Sequence, residues 1–221
     1  MECIILAGGL GTRLRTVIGS APKCMAPVDG KPFLHYLLVY LQRQRVSRAI
    51  LSLGYMHETV LDWLEAHRSS FPFRIDHVIE EEPLGTGGGV ALALKDAASP
   101  DVLVCNGDTM FDIDLAALLQ FHRQKEAATT IALKGMRDFD RYGVVRIDDA
   151  GCVRSFEEKR ARDSGLINGG IYVINKEYLF GKQLGNKFSF EQHCNREMLF
   201  IESFQFLLCF YTVERNDCRC A

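Results

Sequence analysis

Nowhere in its 221 residues does this chain hold an apolar run approaching the roughly 20 residues that a membrane helix needs. It also has no surplus of basic charge. The 26 Lys and Arg stand against 28 Asp and Glu, a formal net charge of −2, so neither a nucleic acid nor a membrane surface is the expected partner. The short apolar stretch of MECIILAGG has no cationic region before it and no small-residue cleavage site after it. It reads as a first strand rather than a signal peptide, and a cytoplasmic location is expected. The six histidines form no metal-ligand spacing, and no Ser-His-Asp or Cys-His order is present. Eight cysteines occur, but at irregular spacings and without a CxxC, so free thiols in a reducing compartment are expected rather than a disulfide framework.

What is present is length enough for a substantial core and a regular alternation of strand-like and helix-like segments. Residues 2–7 and 49–53 read as buried strands; between them Leu34, Leu37, Leu38 and Leu41 lie at i, i+3, i+4, i+7, one apolar helix face. Val60, Trp63, Leu64 and His67 repeat that spacing. A strand near 74–79, a helix in which Val90, Ala93, Leu94 and Ala97 share a face, and a strand at 101–105 follow. This order predicts an α/β fold, a single domain with a mostly parallel, mixed central sheet flanked by helices. From residue 129 the segments TTIALKG, YGVVRID, CVRSFEEK and INGGIYVI read as a mixed or antiparallel addition to that sheet. No internal repeat, low-complexity segment or linker interrupts the chain.

The first strand runs directly into a glycine-rich loop, IILAGGLGTRL, with Lys23 and Lys31 soon after. Gly8, Gly9 and Gly11 lack Cβ atoms, so backbone N–H groups can close on an anion while Arg13 and Lys23 add full charges. That is a phosphate-binding arrangement. It fits neither a Walker loop, which needs Lys followed by Ser or Thr after its second glycine, nor the dinucleotide fingerprint, whose third glycine is replaced by Leu14. The segment VLVCNGDTMFD sets Asp108 just beyond an apolar strand, at the sheet edge where open α/β folds bind ligands. Asp114 precedes LAALLQFH and reads as a helix N-cap. Glu80, Glu81 and Glu82 with PLGTGGG form a second loop at the same edge; a carboxylate there could accept from the N1–H and amino group of guanine, and a solvated acidic turn is the alternative. Cys24 in PKCM reads as a packing residue, with a reactive thiol as the alternative.

GGLGTRL, PK and MAPVDGKPFL resemble the signature of the sugar-phosphate nucleotidyltransferases. With IEEEPLGTGGG, VLVCNGDTMFDIDL, RYGVVRID and LINGGIYVI, the chain is most similar to the D-glycero-D-manno-heptose 1-phosphate guanylyltransferases, from residue 1 to about 192. The resemblance implies a Rossmann-like nucleotide-diphospho-sugar transferase fold. It implies transfer of a nucleotidyl group, GMP from GTP, to a sugar 1-phosphate with release of pyrophosphate. Mannose 1-phosphate guanylyl and glucose 1-phosphate thymidylyl transfer are the rival activities.

The same resemblance assigns catalysis to Arg13, Lys23 and Asp108, with Mg2+ on Asp108. Arg13 would meet the β and γ phosphates and Lys23 the reacting ones. It assigns the nucleotide to Leu6, Ala7, Gly8, Gly9, Gly11, Thr12, Glu81, Gly85, Thr86 and Gly87. It assigns the sugar phosphate to Gly143, Glu158, Lys159, Asn168 and Gly169. Supply of activated heptose for a surface glycan is the implied setting, and a homo-oligomer is possible.

After FSFEQH the family continues into a segment like GYFIDIGTPEDY, whose Asp is a second metal carboxylate; here residues 194–221 read CNREMLFIESFQFLLCFYTVERNDCRCA and lack it. A nucleotidyltransferase domain over 1–193 and an atypical tail over 194–221 are therefore expected. A shifted reading frame and a genuine divergence both fit that tail. An impaired sugar-nucleotide-binding protein is the alternative function.

Overall fold

Burial on both faces of the central strands decides the architecture. In the computed structural model, which describes residues 1–9, 21–182 and 184–189 together with the backbone of 204–208, the first strand β1 (Glu2–Ala7) alternates between two cores. Cys3, Ile5 and Ala7 join one cluster and Ile4 the other. Strand β4 (Arg48–Leu53) divides in the same way, Ala49, Leu51 and Leu53 against Ile50, as does β6 (Asp101–Asn106), Leu103 and Cys105 against Val102 and Val104. A strand with apolar side chains on both faces is stable only when both faces are covered. Helices α1 (Phe33–Arg43), α2 (His57–Ala66) and α4 (Leu115–Gln124) cover the first face, and α3 (Gly85–Leu94) and α5 (Lys176–Gly181) the second.

Two short pairs, β2 (Pro27–Val28) with β3 (Lys31–Pro32) and β8 (Val145–Ile147) with β9 (Val153–Phe156), lie outside the main sheet. That sheet also holds β5 (Arg74–Ile79), β7 (Thr129–Phe139), β10 (Arg162–Asn175) and β11 (Phe204–Leu208), in the order β11-β7-β10-β6-β1-β4-β5. Strands β6, β1, β4 and β5 run parallel; β10 is antiparallel to both β6 and β7, and β11 pairs in parallel with β7. The expected mixed addition is therefore a long antiparallel strand and its neighbours. Within the segment set apart as a tail, Phe204–Leu208 pairs with the sheet edge, Phe204 opposite Thr129.

Chain order runs outward from β1 to β4 and β5, then returns through α3 to β6 on the other side of β1. Right-handed crossovers put α3 on the face opposite α1 and α2. The reversal leaves a crevice at the C-terminal ends of β1 and β6, the place where such sheets bind ligands.

Two expectations need correction. The run PLGTGGG is not wholly loop: α3 starts at Gly85 and ends at Leu94, so Ala97 lies beyond the helix, although it packs in the same core. Glycines are poor helix formers, each about 1 kcal/mol worse than Ala. They are accepted here because neighbours press on them: a Cβ on Gly87 would overlap the Phe188 ring, and one on Gly88 the Asn186 carbonyl. His67, expected on the apolar face of α2, is its exposed C-cap, its ring stacked on Trp63 with centroids 4.6 Å apart. Asp114 caps α4 as expected, accepting from the Ala117 N–H at 2.9 Å.

On α4, His122 is only 1% exposed, with Nδ1 2.8 Å from Thr130 Oγ1 and Nε2 3.5 Å from Asp101. Burial lowers its pKa, against the raising influence of Asp101. The unfolded chain therefore takes up a proton that the folded one resists. This contribution to stability is present above about pH 6.5 and is lost as pH falls through the lowered folded value. The urea midpoint should fall between about pH 7.5 and 5.5, and His122→Gln should narrow that difference.

Candidate active site

Three strand ends and two turns build the site. Strand β1 delivers Leu6, Ala7, Gly8 and Gly9; β6 ends at Asn106 and turns through Gly107 to Asp108; β5 leads into Glu80, Pro83 and the first residues of α3. Together with Lys23 and Cys24 from a one-turn 3-10 helix, Lys23–Met25, these residues line an open cleft of about 410 Å³. That volume suits a small-molecule site.

Close backbone approach makes the cleft. The Gly107 N–H donates to the Leu6 carbonyl at 2.8 Å, locking the β6 turn onto β1. A Cβ on Gly54, at the end of β4, would stand 2.7 Å from the Gly8 carbonyl oxygen. The strand-then-glycine pattern of LSLGY and VCNGD is the sequence signal for these two contacts, and Gly54 and Asn106 are site elements that the sequence reading passed over.

Lys23 and Asp108, 85 residues apart, meet across the cleft, Nζ to Oδ2 at 3.1 Å. Their side chains are 33% and 41% exposed, so the pair is reachable from solvent and screened by it. The Thr109 hydroxyl donates to the other Asp108 oxygen at 3.3 Å. Cys24 beside them is 2% exposed, and burial pushes its thiol up to about 12. It is a packing residue, as a protonated, enclosed thiol is a poor nucleophile. Iodoacetamide should label half-buried Cys152 in the native protein well before Cys24, as mass mapping of alkylated peptides would report.

Of the three successive acids, Glu80 enters the cleft. Its Oε1 accepts from the buried Ser52 hydroxyl at 2.8 Å and Oε2 from the Leu84 N–H at 3.3 Å. Gly8 and Gly89 flank the carboxylate so closely that a Cβ on either would collide with it. Glu81, expected to meet the nucleotide, is exposed and does not line the cleft, and Glu82 is likewise exposed. The reason is register: β5 pairs with β4 so that Leu53 faces Ile79, and the next side chain, Glu80, is the one that turns in toward Ser52.

Gly85 and Thr86 line the cleft, whereas Gly87 is buried behind it. The Gly87 and Gly88 N–H groups donate to the Phe188 carbonyl at 3.0 and 3.3 Å, and the Phe188 N–H donates to Leu84 O at 3.0 Å. Gly11, Thr12 and Arg13 lie outside the described residues, as do Cys194, Cys209, Cys218, Cys220 and Asp217.

The five residues expected on the acceptor side do not line the cleft itself. Asn168 and Gly169 sit next to it, in a β10 bulge between Asn168 and Tyr172. Asn168 accepts from the Gly170 N–H at 2.9 Å and donates to the Tyr172 hydroxyl at 2.6 Å. Gly170, with φ of +76°, passes so near the Asn106 amide that a Cβ would stand 2.9 Å from it. Gly143 packs on the Glu157 backbone, while Glu158 and Lys159 are exposed in the turn between β9 and β10.

Among the described residues no group of three or more His, Cys, Asp or Glu side chains could cage a metal. Among the described residues Asp108 is the carboxylate that pairs with Lys23. That donor set suits a magnesium-type cation, which takes one or two carboxylates and completes its shell with water and substrate phosphates.

The family model described as Nucleotidyl transferase matches residues 2–199. The chain is 44% identical over 192 residues to a D-glycero-alpha-D-manno-heptose 1-phosphate guanylyltransferase of Aneurinibacillus thermoaerophilus, across 87% of this chain and 82% of that one. The protein of the same name from Campylobacter jejuni is also 44% identical, across 87% and 84%. HddC from Yersinia pseudotuberculosis, solved in complex with GMP-PN, matches with a TM-score of 0.84 at 36% identity, across 94% of this chain and 89% of that chain. A match from residue 2 to 199, on a cleft walled by strand ends and glycines, establishes that the chain belongs to the nucleotidyl transferase family.

Proposed function

We propose that this protein transfers a guanylyl group from GTP to a sugar 1-phosphate, D-glycero-D-manno-heptose 1-phosphate first among candidates, and releases pyrophosphate. The observation that carries the reading is the Lys23–Asp108 pair, 3.1 Å apart at the sheet's switch point, facing a cleft whose other wall is the glycine loop. Transfer needs in-line attack of one phosphate on another, so alignment and charge neutralisation are most of the catalysis. Lys23 serves the reacting phosphates, and Gly8 and Gly9 offer a wall to the triphosphate. Arg13 serves the departing pyrophosphate. Asp108 would hold a divalent cation, Mg2+ by preference, which supplies charge neutralisation when bound with the triphosphate.

Base choice falls to Glu80. A carboxylate keeps lone pairs free after accepting from Ser52 and Leu84, and it can take the paired N1–H and amino donors of guanine. The heptose guanylyltransferase relatives support GTP as donor and heptose phosphate as acceptor. Glu158, Lys159, Asn168, Gly143 and Gly169 form the acceptor side, Lys159 as a point charge for the attacking phosphate. Residues 1–193 carry the transferase domain in this reading, with 194–221 an atypical tail.

The test is pyrophosphate release with magnesium and GTP, comparing heptose, mannose and glucose 1-phosphates and repeating each with a chelator. Release confined to heptose phosphate and abolished by chelation is the expected result; release only with TTP and glucose 1-phosphate would overturn it. A second reading, a sugar-nucleotide binder with little turnover, is favoured by one observation: among the described residues Lys23 ion-pairs with one carboxylate, Asp108, and no group of three His, Cys, Asp or Glu side chains could cage a metal. Calorimetric GTP binding without pyrophosphate release would select it.

A further inference from the structure

We infer that Glu157 is a positioning residue for the acceptor phosphate, holding the turn that presents Glu158 and Lys159; this rests on the transfer reaction proposed above. The turn leaves β9 at Phe156 and enters β10 at Arg162. Glu157 ties down its beginning by main chain and side chain at once. Its N–H donates to the Val144 carbonyl at 2.7 Å, and its own carbonyl lies 2.5 Å from where a Gly143 Cβ would stand. Val144 in turn makes an isolated antiparallel bridge to Ile167 of β10, so the anchor point is tied directly to the strand that carries the Asn168 bulge.

The Glu157 carboxylate then gathers three guanidinium groups. It accepts from Arg146 Nε of β8 at 2.6 Å, from Arg160 Nη2 within the turn at 3.5 Å, and from Arg162 Nη2 at the start of β10. Residues before, inside and after the turn are thus fastened to one side chain. Glu158 and Lys159, between the fastened positions, are exposed and enter no ion pair among the described residues. One carboxylate cannot neutralise three guanidiniums. With Lys159 counted in and Glu158 and Asp163 set against them, the four cations still exceed the three carboxylates by one, a small positive balance beside Lys159 that suits a phosphomonoester dianion. The buried Arg162 Nε has no hydrogen-bond partner, so Glu157 accounts for the orientation of that side chain without saturating it. Partly exposed ion pairs contribute little to folding stability. Their use here is geometric.

Glu157→Gln keeps the shape and removes the charge; Glu157→Asp keeps the charge on a shorter stem. In the full chain, Glu157→Gln should raise the heptose 1-phosphate KM about tenfold while the GTP KM stays within about twofold, and Glu157→Asp should recover most of the loss. Trypsin cleavage after Lys159 and Arg160 should accelerate about tenfold in Glu157→Gln, with cleavage elsewhere unchanged, because freed turns open locally. An unchanged acceptor KM in an active enzyme overturns the inference. So does a parallel rise in both KM values with faster cleavage throughout, which would mean general destabilisation. A wild-type chain that releases no pyrophosphate would instead retire the transfer reading. Heptose 1-phosphate affinity by calorimetry then decides about Glu157, equal affinity in wild type and Glu157→Gln counting against it.

Discussion

Asp108→Asn should reduce pyrophosphate release by about 10³-fold or more, the equivalent of about 4 kcal/mol of transition-state stabilisation. The substitution is isosteric, leaving an amide oxygen to accept from Lys23 and an NH2 that can donate to the Thr109 hydroxyl in place of the second carboxylate oxygen, so the fold has little reason to change. The pair it alters is partly solvated, and its loss should move stability by about 1 kcal/mol or less. Removal of the charge leaves the cleft with Lys23 and without its partner, the wrong balance for a cation carried in with a triphosphate. Steady-state rates across a magnesium titration, set beside a urea unfolding curve, separate the two effects. An Asp108→Asn enzyme working within about tenfold of wild type would remove Asp108 from the chemistry.

Gly54→Ala should be nearly as damaging by a wholly different route. The new methyl would stand 2.7 Å from the Gly8 carbonyl oxygen and 3.1 Å from Gly8 Cα, both backbone atoms at the head of the glycine-rich loop. No rotamer relieves a Cβ clash, so either β4 or the loop must move. Overpacking of this kind costs about 1–3 kcal/mol. Displaced Gly8 also presses on the Glu80 carboxylate, and with it the Ser52 and Leu84 hydrogen bonds. GTP affinity should therefore fall by at least about tenfold, more than the stability loss alone would explain. Calorimetric titration of GTP at a temperature where the variant is fully folded would show it. Undiminished affinity would mean that the close approach of Gly54 to Gly8 is incidental to nucleotide binding.

Much of the site could be read from the chain because its determinants are local. A strand followed by Gly-Gly, and Asn-Gly-Asp after another strand, declare backbone conformations that need no distant partner. Lys23 and Asp108 both stand out in the chain as candidate site residues, though nothing local says that they touch. What escaped was side-chain direction in irregular turns. Three adjacent glutamates are equivalent in sequence, and the β4–β5 register alone brings Glu80 to Ser52 while Glu81 and Glu82 stay exposed. In FEEK the second glutamate and the lysine carried the family likeness, yet the first glutamate is the one that gathers Arg146, Arg160 and Arg162. The glycine run 85–89 misled for a related reason: intrinsic propensity argues against a helix, and contacts from Phe188 and Asn186 override it.

The sequence by itself determined that β1, β4 and β6 are buried on both faces, that helices cover them, and that a glycine-rich loop follows the first strand. Those properties follow from apolar periodicity and from the missing side chains of glycine, and both act within a few residues. The tertiary structure alone decided which of three adjacent glutamates enters the cleft and which lysine meets which aspartate. Each of these is a contact between elements distant in the chain, Ser52 with Glu80 across 28 residues and Lys23 with Asp108 across 85, and such pairs are selected by strand order and register rather than by any local preference.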